Sequence, residues 1–154
     1  MAAPETLWQF ASRVYASEPV RQACLGLQDQ HDASVNLLLW AAWTALVHGH
    51  ALPPDLVIAA RQATLDWQRD VLAPLRGVRR RLKEGHRELY ERAKALELQF
   101  ERIEIERLEA MTVLDGGGGA DALGVNLALA APPGAPVADL TALAHALRAA
   151  AAGC

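Results

Sequence analysis

Four stretches of the sequence hold side chains capable of chemistry. In "DQHD", Asp29, His31 and Asp32 bring carboxylates and an imidazole close together, a donor set that suits several divalent ions and also acid–base work. "HGH" supplies His48 and His50, half of a metal site. "DWQRD" spaces Asp66 and Asp70 at i and i+4, which places both on one helical face. The fourth stretch, "RDVLAPLRGVRRRLKEGHR", is cationic. On a helical wheel Arg69, Arg76, Arg80, Lys83 and Arg87 form one stripe, well separated from a second made by Val71, Leu75, Val78 and Leu82.

The first three have mechanical explanations. Asp29 ends a helix, Asp32 sits in a turn and Ser34 caps the following helix, roles that short Asp/Ser stretches fill by bonding nearby backbone. Histidines near a helix C-terminus interact favourably with its exposed carbonyls and need no metal to do so. The D-x-x-x-D spacing resembles the one with which helical isoprenoid synthases hold magnesium-bound diphosphate, but the match is two residues long. H-E-x-x-H, paired C-x-x-C and the Glu-x-x-His pairs of di-iron bundles are absent. The sequence therefore implies no metal and no cofactor. Trp8, Trp40, Trp43 and Trp67 fall at helical spacing, which favours core positions whose indole N–H groups find acceptors. The alternative is a pocket walled by Trp40, Trp43 and Trp67 that also collects Asp29, His31, Asp32, Asp66 and Asp70.

The cationic stripe is harder to explain away. Within its own helix only Glu84 is placed to pair with Arg80 or Arg87. It is a candidate surface for an acidic or phosphate-bearing partner. The more ordinary expectation is charge that is solvated, or neutralised across a hairpin by Glu91, Glu97, Glu101 and Glu104, which would bring Arg79 toward Glu91 and Arg69 toward Glu101.

Helices must position all of these groups, because apolar residues recur with helical period and no long run alternates with period two. Helix one spans about Glu5 to Ala16. Helix two follows "SEPV", with Pro19 in its first turn, and carries Cys24 on an apolar face as an inert core thiol. Helix three starts from Ser34. Helix four runs from about Asp55 to Lys83 and is kinked at Pro74, whose ring removes one backbone hydrogen bond. A further helix reaches about Leu114, with Leu89, Ala93, Leu96, Phe100 and Ile103 at steps of four and three. A turn near Gly85 makes these two a hairpin, since one straight helix from Asp55 to Leu114 would be roughly 90 Å long. Beyond Asp115 the run Gly116 to Gly119 and an Ala/Leu/Pro/Gly-rich tail read as flexible linker, followed by a short amphipathic helix from about Val137 to Ala151. The predicted fold is all-α: an N-terminal three-helix unit packed on a long, Pro-kinked helical hairpin. Residues 1–114 form the domain, expected to fold without residues 115–154.

Composition narrows the function classes. A chain of 154 residues with formal charge −3 and pI about 5.9 fits one domain and has no overall field that selects nucleic acid or membrane. The longest apolar stretch, Val35 to Val47, is shorter than the ~20 residues of a spanning helix. The opening "MAAPETLWQF" lacks a secretory pattern. Cys24 and Cys154 make no disulfide framework. No membrane insertion and a cytoplasmic setting are expected.

"LWQFASRVYASEPVRQACLGLQDQHDASVNLLLWAAW" together with "WQRDVLAPLRGVRRRLK" resembles a proteobacterial family of this length catalogued as a domain of unknown function, over Leu7 to Ala110. The family pattern has Leu-Gln-Asp followed shortly by Gly, then Asp-Val-Asn. Here Asp32 stands in place of that Gly and Ser34 in place of that Asp, both suited to a turn and a cap. The resemblance implies no activity and no catalytic residue. The expected function is a non-enzymatic interaction or adaptor module binding a protein or other anionic partner, with homo-oligomerisation open. The alternative is a small-molecule or metal-dependent helical-bundle enzyme using the tryptophan pocket.

Overall fold

The computed structural model describes residues 2–114 and 121–153. Helix α1 (Leu7–Tyr15) starts at Thr6, whose hydroxyl accepts from Gln9 N while the Gln9 side chain accepts from Thr6 N at 3.0 Å. This reciprocal cap satisfies two N–H groups that the helix cannot. Helix α2 (Glu18–His31) ends at Asp32, which has a φ of 58°. Asp tolerates this left-handed stop better than most residues. Ser34 then caps α3 (Val35–Leu46), its hydroxyl accepting from Leu37 N at 3.2 Å. The sequence from Leu37 to Thr44 is buried throughout.

Helix α4 (Pro54–Trp67) runs into a π turn (Gln68–Leu72) and on into α5 (Ala73–Leu82). Pro74 accounts for the interruption. With no N–H to offer the preceding turn and a ring that crowds it, the backbone widens, and Ala73 N donates to Gln68 O in i→i−5 register. Gly85, at a φ of 87°, turns the chain. Helix α6 (Arg87–Ala110) then returns beside α5. The all-α fold and the hairpin agree with the periodicity.

The C-terminal region departs from expectation. Residues 121–130, read as linker, include helix α7 (Ala122–Ala130), which packs on α3. Helix α8 (Val137–Ala152) packs on α2 and α7. Leu123, Leu127, Leu143 and Leu147 are each at most 3% exposed. Where the sequence suggested linker before one short helix, residues 122–130 and 137–152 form two packed helices; the polyglycine run lies outside the described residues. Alanine and leucine are among the strongest helix formers, and a segment rich in them needs only a surface to pack on. Asn126 supplies the polar match: its Oδ1 accepts from Leu52 N at 2.8 Å, and its Nδ2 donates to Thr44 Oγ1 at 3.0 Å and His50 O at 2.9 Å. These bonds tie the α3–α4 loop to α7.

The core thus lies among α1, α2, α3, α7, α8, the Val57–Ala60 part of α4 and the Ile105–Leu108 part of α6. Among the described helices α5 touches only the π turn and α6, and it buries no residue. Among the described residues no helix is long and apolar enough to cross a membrane.

Candidate functional site

The hairpin is closed by charge. Arg76 Nε donates to Glu97 Oε1 at 2.9 Å, its Nη2 to Glu101 Oε1 at 3.0 Å and its Nη1 to Gln68 Oε1 at 3.1 Å. Arg79 Nε donates to the other oxygen of Glu97. Burial opposes the charge on Arg76, but its hydrogen bonds to Glu97 and Glu101 prevail and raise its pKa. Neutralisation across the hairpin therefore holds for Arg76, in a shifted register: Arg79 meets Glu97 and not Glu91. Arg69 does not reach Glu101. It stays on its own helix, 2.7 Å from Asp70 and 3.4 Å from Asp66. The π turn adds a residue to the winding between Arg69 and Arg76, so a stripe drawn on a regular wheel is broken there.

The rest of the stripe is free. Arg80, Lys83 and Arg87 are exposed and have no ion pair among the described residues. The segment 73–94 holds eight Lys/Arg against three Glu, whereas the remainder of the chain holds fifteen acidic residues against seven basic ones. An acidic protein thus carries one strongly basic end.

The ion-pair chain continues inward. Gln68, on the π turn, donates through Nε2 to both oxygens of Glu104 at 3.3 and 3.2 Å, and Asn36 Nδ2 donates to Glu104 Oε1 at 2.8 Å. Glu104 is 2% exposed. Burial raises its pKa above the ordinary carboxylate value, the hydrogen bonds from Asn36 and Gln68 offsetting only part of that. Sequence reasoning counted Glu104 among the surface glutamates. Its position between Ile103 and Ile105 was the available signal.

The pocket residues are not brought together. Asp29 is exposed, and His31 Nε2 lies 3.9 Å from Asp139 Oδ2 on α8. Asp32 is the α2 stop described above. Asp66 accepts from Gln62 at 2.9 Å, and Asp70 is held below the usual carboxylate range by its hydrogen bonds from Arg69. Trp40 is fully buried with Nε1 donating to Thr112 Oγ1 at 2.8 Å. Trp43 Nε1 donates to Glu5 O, and the edge of His48 meets the Trp43 ring at 4.5 Å between centroids. Trp67 Nε1 donates to Phe100 O beneath the Arg107 guanidinium, 4.2 Å from the ring. Burial pushes the Cys24 thiol up to about 12, as fits an inert core position. Among the described residues no three His, Cys, Asp or Glu gather as a metal site.

What the fold does form is a groove. One hollow of about 800 Å³ is lined by Trp8, Tyr15, Leu39, Leu65, Leu98 and Ile105, with Arg80 among its polar walls. A second, of about 490 Å³, is lined by Glu91, Lys94 and Ala95. Both share Arg79, Leu98 and Glu101, so together they follow α6 from the core toward the hairpin end.

Comparison with known proteins agrees with the pattern of the N-terminal stretches. The model of a protein family of unknown function, DUF2390, matches residues 6–108. The chain belongs to that family. No curated protein and no solved structure matches it. The matched region of this DUF2390 member spans α1 to α5 and most of α6, and so contains the hairpin, the π turn and the groove; α7 and α8 lie beyond it.

Proposed function

We propose that this protein is a non-enzymatic, cytoplasmic interaction module that docks an acidic protein partner on the basic end of its hairpin, through Arg80, Lys83 and Arg87. One observation carries the reading: these three cations are exposed and have no ion pair among the described residues, where Arg69, Arg76 and Arg79 each have carboxylate partners. Free charge of one sign on an oppositely charged molecule steers encounter with a complementary surface and fixes its orientation. Arg69 and Arg76 leave the partner-facing set. The enzyme alternative loses its main support, because its acids and tryptophans are dispersed among separate structural roles.

The double variant Arg80→Glu/Lys83→Glu tests this. It should melt close to the parent, since exposed charges contribute little to folding. It should also lose an acidic partner that the parent retains from cell extract, and that retention should weaken as salt rises. An unchanged partner list from a well-folded variant would end the reading; retention of nucleic acid in place of protein would redirect it to phosphate.

A further inference from the structure

We infer that the hairpin face turned away from the groove is covered by a second copy of this chain, in an antiparallel two-fold dimer that makes a four-helix bundle of two hairpins. The winding of the two helices defines the face. Arg80 on α5 and Leu98 on α6 line the groove; Val78 and Leu96, each two residues away, lie about 200° around their helices from them. Leu75 and Leu82 join Val78 at steps of three and four, and Leu89 and Phe100 join Leu96 at steps of seven and four. None of these residues lines either hollow, and Val78, Leu89 and Leu96 are 53%, 48% and 41% exposed. Because Arg76 and Arg79 hold α5 against Glu97 and Glu101 of an antiparallel α6, the two stripes fall on one side of that ion-pair seam. Charged residues stand only at their edges, at Arg81 and Arg92.

Two observations select the occupant. The first is that α5, ten residues long with Gly77 inside it, buries no residue. A helix that short draws its stability from a packed face, so whatever covers Val78 and Leu82 stabilises the chain itself, and a copy is present wherever the chain is. The second is the distribution of charge along the hairpin. The tip, residues 73–94, holds eight Lys/Arg against three Glu, whereas the far end, residues 64–72 with 95–110, holds seven acidic residues against three basic ones. A two-fold axis along the hairpin would set tip on tip and repel. An axis across it sets each basic tip against the partner's acidic far end, and the symmetry repeats that match twice. The hairpin is therefore complementary to itself in one orientation. A foreign helix of either charge would match one half of the face and repel the other, and an anionic bilayer would attract the tip and repel the far end. Arg80 and Lys83 lie toward the groove side, so the dimer leaves two basic docking ends free at opposite poles; it is independent of the acidic partner proposed above.

Sedimentation equilibrium on the full chain, at concentrations up to about 100 µM, tests this. The chain should dimerise, and the dimer should weaken several-fold as salt rises from about 0.05 to 0.5 M. Amides of α5 should exchange more slowly as chain concentration rises, because association stabilises the helix. Leu96→Glu and Val78→Glu, shown to be folded by circular dichroism, should each weaken the dimer about tenfold or more; Leu98→Glu, on the groove side of α6, should not. Leu89→Gln, near the tip and far from the core, gives the same reading should a glutamate unfold the chain. A chain that stays monomeric at every concentration overturns the inference, as does α5 exchange that is indifferent to concentration. A dimer that Leu98→Glu breaks and Leu96→Glu spares overturns it in favour of the groove, and a dimer that salt tightens overturns the antiparallel arrangement. A monomer that floats with anionic lipid vesicles and loses them in Leu96→Glu overturns it in favour of a membrane surface.

Discussion

Helix α3 buries eight consecutive residues, Leu37 to Thr44, whereas α5 buries none of its ten. These two helices mark the two ends of the molecule, and they are held by different physics. Around α3, apolar area leaves water on every side, a strong and non-directional term of about 25 cal/mol per Å². Around α5, Arg76, Arg79, Glu97 and Glu101 do most of the fastening, and partly exposed pairs contribute far less apiece. The dry end has little surface left with which to recognise anything. The charged end is weakly held and open, which is where partner-binding elements are drawn from.

The widest separation between the ends should appear on cutting the chain after Leu114. Removing α7 and α8 uncovers the sites of Leu123, Leu127, Leu143 and Leu147; at roughly 1.5–3 kcal/mol per buried leucine the loss is comparable with the ~5–15 kcal/mol that holds an ordinary domain together. Calorimetry should show no cooperative transition. A sharp melt near that of the full chain would mean that the family-matched region is self-sufficient and that the core has been misplaced. Next in size is Asn126→Ala, which leaves Leu52 N–H without its buried acceptor and should cost about 2–3 kcal/mol. Urea unfolding measures it.

The sequence disclosed the helices that announce themselves by caps and period. Ser34, Pro19 and Gly85 each mark a boundary through chemistry local to a few residues, and the hairpin followed from them. It did not disclose α7, because Ala, Gly and Leu in a tail have the same composition whether they dangle or pack, and only the presence of α3 decides. The register of Arg79 on Glu97 was hidden because the turn at Gly85 sets the offset between α5 and α6, and a wheel drawn for one helix carries no such offset; the π turn before Pro74 separately breaks the stripe between Arg69 and Arg76. Of the candidate site, the free cations Arg80, Lys83 and Arg87 were legible as charge. The groove was not, since its walls come from Trp8, Leu39, Leu65 and Leu98, which are far apart in the chain.

Within the charged end a smaller contrast divides paired from unpaired arginines. Arg76→Glu sets a third carboxylate against Glu97 and Glu101 and should cost about 2 kcal/mol, between the values for exposed and buried pairs. Arg80→Glu should stay within about 0.5 kcal/mol of the parent. Hydrogen exchange sharpens the same point: amides of α5 should exchange through local opening well before those of α3, and Arg76→Glu should widen that gap. Equal losses of stability in the two variants would erase the distinction between fastening and recognition on which the proposed function depends.

The smallest effect is expected where the two ends meet, at Glu104. Its pKa is raised in the folded chain chiefly by burial, so folding favours the protonated carboxyl. The stabilisation associated with that proton is present in full below the ordinary carboxylate value of 4.5 and is lost as the pH rises through the higher folded value. At neutral pH the folded chain therefore carries the cost of a buried charge, which Asn36 and Gln68 reduce and do not remove. Glu104→Gln keeps a carbonyl oxygen for those donors and discards the charge. The variant should melt above the parent at pH 7, and the difference should close as the pH falls below 4.5, where the parent carboxyl is also neutral. Paired melts across that range decide it. A variant less stable than the parent at pH 7 would show that the ionised carboxylate holds Gln68 and, through it, Arg76, so that the dry end fastens the hairpin by charge as well as by packing.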